Sequence, residues 1–85
     1  MTAEDIRARI KEAIAKVSKI DPATIDDHAS LRDQLGMDSL SILEAIVEVQ
    51  CRFKIPDVPD DEYAGIRTLD HAVHLVQRHL SLQAV

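Results

Sequence analysis

The sequence predicts an all-α fold, a small bundle of three main helices plus one short helix, with a long loop between the first and second helices. Three observations carry this. Apolar residues recur at steps of three and four in three separate stretches, the period of a helix that buries one face. No stretch alternates apolar and polar residues as a half-buried strand would, so no sheet is expected. The prolines and glycines, Pro22, Gly36, Pro56, Pro59 and Gly65, fall between the periodic stretches rather than inside them.

The first helix is expected near residues 3–18. Thr2 is its cap, with Asp5 three residues on in a capping-box position. Ile6, Ile10, Ile14 and Val17 then form one apolar stripe. From Asp21 to Met37 the periodicity fades. Asp21-Pro22 opens a turn, and Asp26, Asp27, His28 and Ser30 are loop residues. Ile25, Leu31 and Leu35 punctuate this segment and are expected to pin it to the core, since an unanchored loop of this length is unusual.

Gly36 breaks the chain before a second helix near 38–53. Asp38 is its N-cap, because a carboxylate there can accept an orphan backbone N–H. Arg52 and Lys54 sit at the other end, where cations suit the helix dipole. Ile55-Pro56 stops it, since proline disfavours helical geometry in the residue before it. Pro59 with Asp60, Asp61 and Glu62 reads as the opening of a short helix near 60–64, ended by Gly65. Thr68 caps a last helix near 68–80, whose stripe is Leu69, Val73, Val76 and Leu80.

Eighty-five residues give one small domain spanning 1–85. Hydrophobic residues are 46% of the chain, too many for a disordered tail. With Phe53 and Tyr63 the only rings, the core has to be built from Ile, Leu, Val and Ala. The net charge of −5 argues against nucleic-acid binding, which needs clustered Lys and Arg. That charge is concentrated in residues 21–66, where eleven acids face three bases. An acidic middle between mildly basic ends suggests partners with a basic docking patch.

Cys51 is alone, so no internal disulfide forms. The first twenty residues have no signal-peptide apolar core. No apolar run approaches the roughly 20 residues needed to span a bilayer, so no membrane insertion is expected. The chain reads as a soluble, cytoplasmic monomer. His71 and His74 are three apart on the last helix, but no further ligand at useful spacing completes a metal site. No base is spaced to activate a serine as in a hydrolase, so no enzymatic activity is expected.

Ser39 opens the second helix. A phosphodiester on it would lie at the positive end of the helix dipole, beside backbone N–H groups. Gly36 and the polar loop are expected to leave the hydroxyl unobstructed. At about 100° per residue, Ser41, Glu44, Glu48 and Arg52 form a polar stripe. Ile42, Ile46, Val49 and Phe53 form the core-facing one. Leu40, Leu43, Val47 and Cys51 lie between, which makes the helix more apolar than one buried face requires. Either packing on two sides or a binding surface beside Ser39 accounts for that excess.

Leu35-Gly36-Met37-Asp38-Ser39-Leu40 resembles the signature of the acyl carrier proteins, in which the serine of Asp-Ser-Leu carries 4′-phosphopantetheine. The resemblance covers about residues 3–80. Ile25 and Leu31 match loop anchors, and Phe53-Lys54-Ile55-Pro56 matches the end of the family's second helix. Asp60-Asp61-Glu62 matches the short acidic helix, and Thr68-Leu69 with Ala72-Val73 the start of the last. The resemblance implies a non-catalytic carrier that holds acyl intermediates as thioesters on an arm attached to Ser39. It implies fatty-acid, polyketide or related natural-product biosynthesis. The implied partners are a phosphopantetheinyl transferase and the enzymes that load and transfer acyl groups. Asp38, Leu40, Leu43, Glu44, Val47 and Glu48 fall where such carriers touch partners. Met37 before Asp38 looks like an acyl rather than a peptidyl carrier. Gln50, Cys51 and Arg52 depart from the family, standing where many fatty-acid carriers are acidic, and the connector after Phe53 looks about one residue longer. Both bring a specialised pathway level with housekeeping fatty-acid synthesis. The alternative reading is an unmodified helical interaction module in which Asp38 and Ser39 merely cap a helix.

Overall fold

The computed structural model describes residues 2–55, 61–62 and 65–83. Within them run three α-helices, α1 at Ala3–Ser18, α2 at Ser39–Phe53 and α3 at Leu69–Gln83, with a short 3-10 turn at Pro22–Thr24. The short acidic helix expected near 60–64 lies largely outside the described residues. Only Asp61 and Glu62 of it are described, and both are helical.

α1 starts where the capping box requires. The Thr2 hydroxyl accepts from the Asp5 N–H at 3.1 Å, and the Asp5 carboxylate accepts from the Thr2 N–H at 3.2 Å. Its buried face is Ile6, Ile10, Ala13 and Ile14. α2 and α3 each pack chiefly on α1 rather than on each other. α1 is therefore the spine of the bundle. α2 contributes Ile42, Ala45, Ile46, Val49 and Phe53 to the core, and α3 contributes Leu69, Ala72, Val73, Leu75 and Val76. The expected aliphatic interior is present, with Phe53 its one described aromatic residue.

Both α1 and α2 end in a left-handed residue that is not glycine, Lys19 at φ 58° and Lys54 at φ 54°. In each case the next residue's N–H reaches back five positions, Ile20 to the Ala15 carbonyl and Ile55 to the Gln50 carbonyl. Those bonds satisfy carbonyls that the helix end would leave orphaned.

The loop is pinned more firmly than its composition suggests. Ile25, Ala29, Leu31 and Met37 are buried, and Leu35 packs on the core from its edge. Ser30 and Thr68 form an isolated antiparallel bridge, flanked by Leu31 N–H to Arg67 O at 2.9 Å and Leu69 N–H to Ala29 O at 3.0 Å. It is one bridge, not a strand, and it fastens the loop to the head of α3.

Arg7 and Lys11 on α1 are half-buried. The Arg7 guanidinium donates to the Asp27 carbonyl and, at 2.9 Å, to the Asp70 carboxylate. Lys11 donates to the Asp27 carboxylate. One turn apart on α1, the two cations clamp the loop against the bundle. His28 Nδ1 lies 2.8 Å from Asp70 on the same cluster.

Two outcomes follow from this packing. Ile10 is fully enclosed, and Ile10→Ala is expected to lower unfolding free energy by about 2–5 kcal/mol in urea titrations. The second concerns acid. The Lys11 hydrogen bond holds Asp27 below the usual carboxylate range, and His28, then Arg7, hold Asp70 below it. Carboxyls depressed on folding stabilise above the unfolded value, about 4, and lose that contribution as pH falls through the folded one. The urea midpoint should hold from pH 7 to about 5 and fall below about 4. Asp70→Asn should shrink the fall.

Candidate functional site

The head of α2 is set by the turn before it. The Ser30 carbonyl accepts from Gln34 N–H at 3.1 Å and Leu35 N–H at 3.2 Å, and the Arg32 carbonyl accepts from Gly36 N–H at 3.1 Å. The Ser30 hydroxyl accepts from the Asp33 N–H, and the Gln34 side chain accepts from the Ser30 N–H. Gly36 then turns at φ 66°. A Cβ there would meet nothing within 4 Å, so the backbone angle, not crowding, is what calls for glycine. Met37 is buried, its N–H bonded to the Leu31 carbonyl at 2.9 Å. The chain therefore leaves the core at Asp38 in a fixed direction.

Asp38 is the N-cap that its position predicts. Its carboxylate accepts from the Ser41 N–H at 2.8 Å, and its carbonyl accepts from the Ile42 N–H at 3.0 Å. The Ser41 N–H holds the Asp38 carboxyl below the usual range, so it is ionised at neutral pH. Ser39 follows as the first residue of α2 and is exposed. Its Oγ accepts from Nη2 of Arg32 at 2.6 Å. The expectation of an unobstructed hydroxyl is corrected on this point. Ser39 faces solvent, but a guanidinium lies against it. The signal that could have found Arg32 is its isolation, since it is the one Lys or Arg between Lys19 and Arg52.

The expected docking residues divide into two groups. Leu40, Leu43 and Val47 are 62%, 41% and 48% exposed, and Cys51 is exposed further along the same flank. They make an apolar strip that begins beside Ser39 and runs down α2, between the core stripe and the polar one. That the helix is more apolar than its core face requires is thus accounted for by exposed side chains, not by packing on two sides. The acids behave differently. Glu44 is exposed and forms no ion pair among the described residues. Glu48 is half-buried and accepts from Arg52 Nε at 3.0 Å and Lys16 Nζ at 3.2 Å. Arg52, then Lys16, hold its carboxyl below the usual range. Arg52 also reaches Glu12 at 3.3 Å. Glu48 therefore braces α2 against α1.

Among the described residues no three His, Cys, Asp or Glu side chains are grouped to hold a metal ion. Three of the four histidines, His28, His71 and His79, make contacts within the fold. His71 Nδ1 accepts from the Arg67 N–H at 3.0 Å, and His79 lies 3.3 Å from Glu62. No described helix is long and apolar enough to cross a membrane.

The cap and the hydroxyl separate in a simple pair of variants. Asp38→Ala should speed exchange of the Ser41 amide and fray the first turn of α2, read by hydrogen exchange. Ser39→Ala should leave that exchange unchanged and alter unfolding free energy by about 0.5 kcal/mol or less.

With this geometry in place, three comparisons bear on it. A family model described as phosphopantetheine attachment site matches residues 8–76. The meromycolate extension acyl carrier protein of Mycobacterium tuberculosis is 36% identical over 78 residues, covering 92% of this chain and 67% of the relative. The acyl carrier protein of Rhodococcus erythropolis is 32% identical over 77 residues, covering 91% of this chain and 84% of the relative. Among solved structures, an acyl carrier protein from Enterococcus faecalis matches with a TM-score of 0.70 at 24% identity, over 93% of this chain and 99% of that one, which is a likeness of fold.

Proposed function

The chain belongs to the acyl carrier protein family, and on that premise we propose that Ser39 is the attachment point of its 4′-phosphopantetheine arm. The observation that carries the assignment is an exposed hydroxyl at the first position of α2 with a cation against it. A phosphodiester needs that combination of access and positive charge. Once attached, the arm supplies a terminal thiol on which an acyl group is held as a thioester.

The partner of the hydroxyl also speaks to catalysis. A guanidinium stays protonated at all ordinary pH and cannot take a proton from Oγ. The chain therefore does not activate its own serine, and a phosphopantetheinyl transferase supplies the base. In that step the Oγ–P bond forms, the pyrophosphate bond of coenzyme A breaks, adenosine bisphosphate leaves, and the hydroxyl proton passes to the transferase. The chain acts as a carrier and substrate of enzymes, not as a catalyst.

Partners read α2. The strip of Leu40, Leu43 and Val47 supplies apolar contact, and Glu44, with Asp38 beside the serine, supplies charge for steering. The named relatives include meromycolate extension carriers, which favours a fatty-acid-related acyl chain over a polyketide as cargo. Residues 1–85 serve as one carrier domain, monomeric and cytoplasmic.

The deciding experiment is intact mass after incubation with coenzyme A and a transferase. Wild type should gain one phosphopantetheine and Ser39→Ala none. Modification that persists in Ser39→Ala would move the arm to another residue, and no gain with several transferases would favour an unmodified interaction module. Docking has its own outcome. Glu44→Lys should slow modification at low ionic strength, with the effect shrinking in high salt. Glu48→Lys should act mainly through lower thermal stability, because it sets a cation beside Lys16 and Arg52.

A further inference from the structure

On the reading that Ser39 is modified, we infer that Arg32 is the residue that holds the phosphodiester, and with it the root of the arm, against the head of α2.

The need for such a residue comes from the cap. A helix N-terminus attracts an anion through its free N–H groups, but here the Asp38 carboxylate has already taken the Ser41 N–H. The Asp38 carboxylate is also ionised and adjacent in sequence, so it repels a phosphate on Ser39. Asp38 is the acid nearest Ser39 in sequence, and Arg32 is the one Lys or Arg between Lys19 and Arg52.

It is close, and it is held there. Arg32 Nη2 donates to Ser39 Oγ at 2.6 Å. Its backbone sits in the turn closed by Ser30, with Leu31 buried before it and the Gly36 N–H bonded to its carbonyl. A phosphodiester built on Oγ carries two non-bridging oxygens that share one negative charge, on the phosphorus next to that atom. The planar fork of a guanidinium has donors to spare for both, at roughly twice the strength of a neutral hydrogen bond. Arg32 thus offsets Asp38, and it anchors the arm by its phosphate while leaving the remainder free to swing.

The test has two arms, one independent of loading. In a Cys51→Ser background, Ser39→Cys puts a thiol at the same position, and its titration is followed by the pH dependence of alkylation. Adding Arg32→Gln should raise the thiol pKa by about half a unit or more, because the nearby cation is lost. Arg32→Lys should restore part of the shift. An equal thiol pKa with and without Arg32 would overturn the inference. The second arm uses phosphorus NMR of the loaded protein. Arg32→Gln should move the phosphodiester resonance toward that of the same diester in the urea-unfolded loaded protein and remove its dependence on salt, and an unmoved resonance would overturn the phosphate-holding role. A wild-type chain that takes no phosphopantetheine refutes the attachment reading instead, and the thiol titration then decides by itself whether Arg32 charges this position.

Discussion

The head of α2 depends on one constraint, the immobilisation of the turn from Ser30 to Met37. Leu31 and Met37 are buried at its two ends and bonded to each other through Met37 N–H and Leu31 O. Between them the turn closes on Ser30 and leaves through the left-handed Gly36. Two buried side chains and a ring of backbone hydrogen bonds leave the next residues little freedom. Asp38 therefore meets α2 in capping geometry, Ser39 falls on the outside, and Arg32 reaches it across the turn. Had the loop been tethered only by its ends, the loop-closure entropy alone would have scattered these three groups.

The same fixity organises charge. The acidic middle of the sequence suggested partners with a basic docking patch, but part of its charge is met inside the molecule. Asp27 is paired with Lys11 and Glu48 with Lys16 and Arg52, while Asp70, beyond that middle, is paired with Arg7. The basic residues of α1 are the counter-charge that binds loop, α2 and α3 to the spine. Exposed pairs of this kind are individually weak. Their arrangement nonetheless separates the paired acids from the exposed ones, and among the described acids of α2 it leaves Glu44 as the outward one.

What the sequence made legible was local. The Thr2 capping box, the Asp38 cap, the stripes of α1 and α2 and the need for a turn at Gly36 are encoded by residues within one or two turns of each other. Even so, α3 runs to Gln83 rather than ending near residue 80, because the sequence that follows Leu80 contains no breaker. What stayed hidden was non-local. Arg7, Lys11, Arg32 and Glu48 act through partners 7 to 63 residues away. Which long side chain meets which acid depends on the face of α1 that the loop crosses, and periodicity is silent about that. The left-handed Lys19 and Lys54 were hidden for a different reason, since glycine is the residue that normally advertises such a cap.

The candidate site and the core occupy opposite faces of one helix. Ile42, Ile46, Val49 and Phe53 look inward, while Ser39, Leu40, Leu43, Glu44 and Val47 look outward. The outward side chains contribute little to stability, because burial is what makes an apolar residue stabilising. Leu40, Leu43 and Val47 instead carry a standing cost in solvent, which burial against a partner removes. A fold of this size has little stability to spare, so the separation matters. It leaves the outer face free to change without disturbing the spine, and it confines the coupling between fold and site to the turn that carries Arg32.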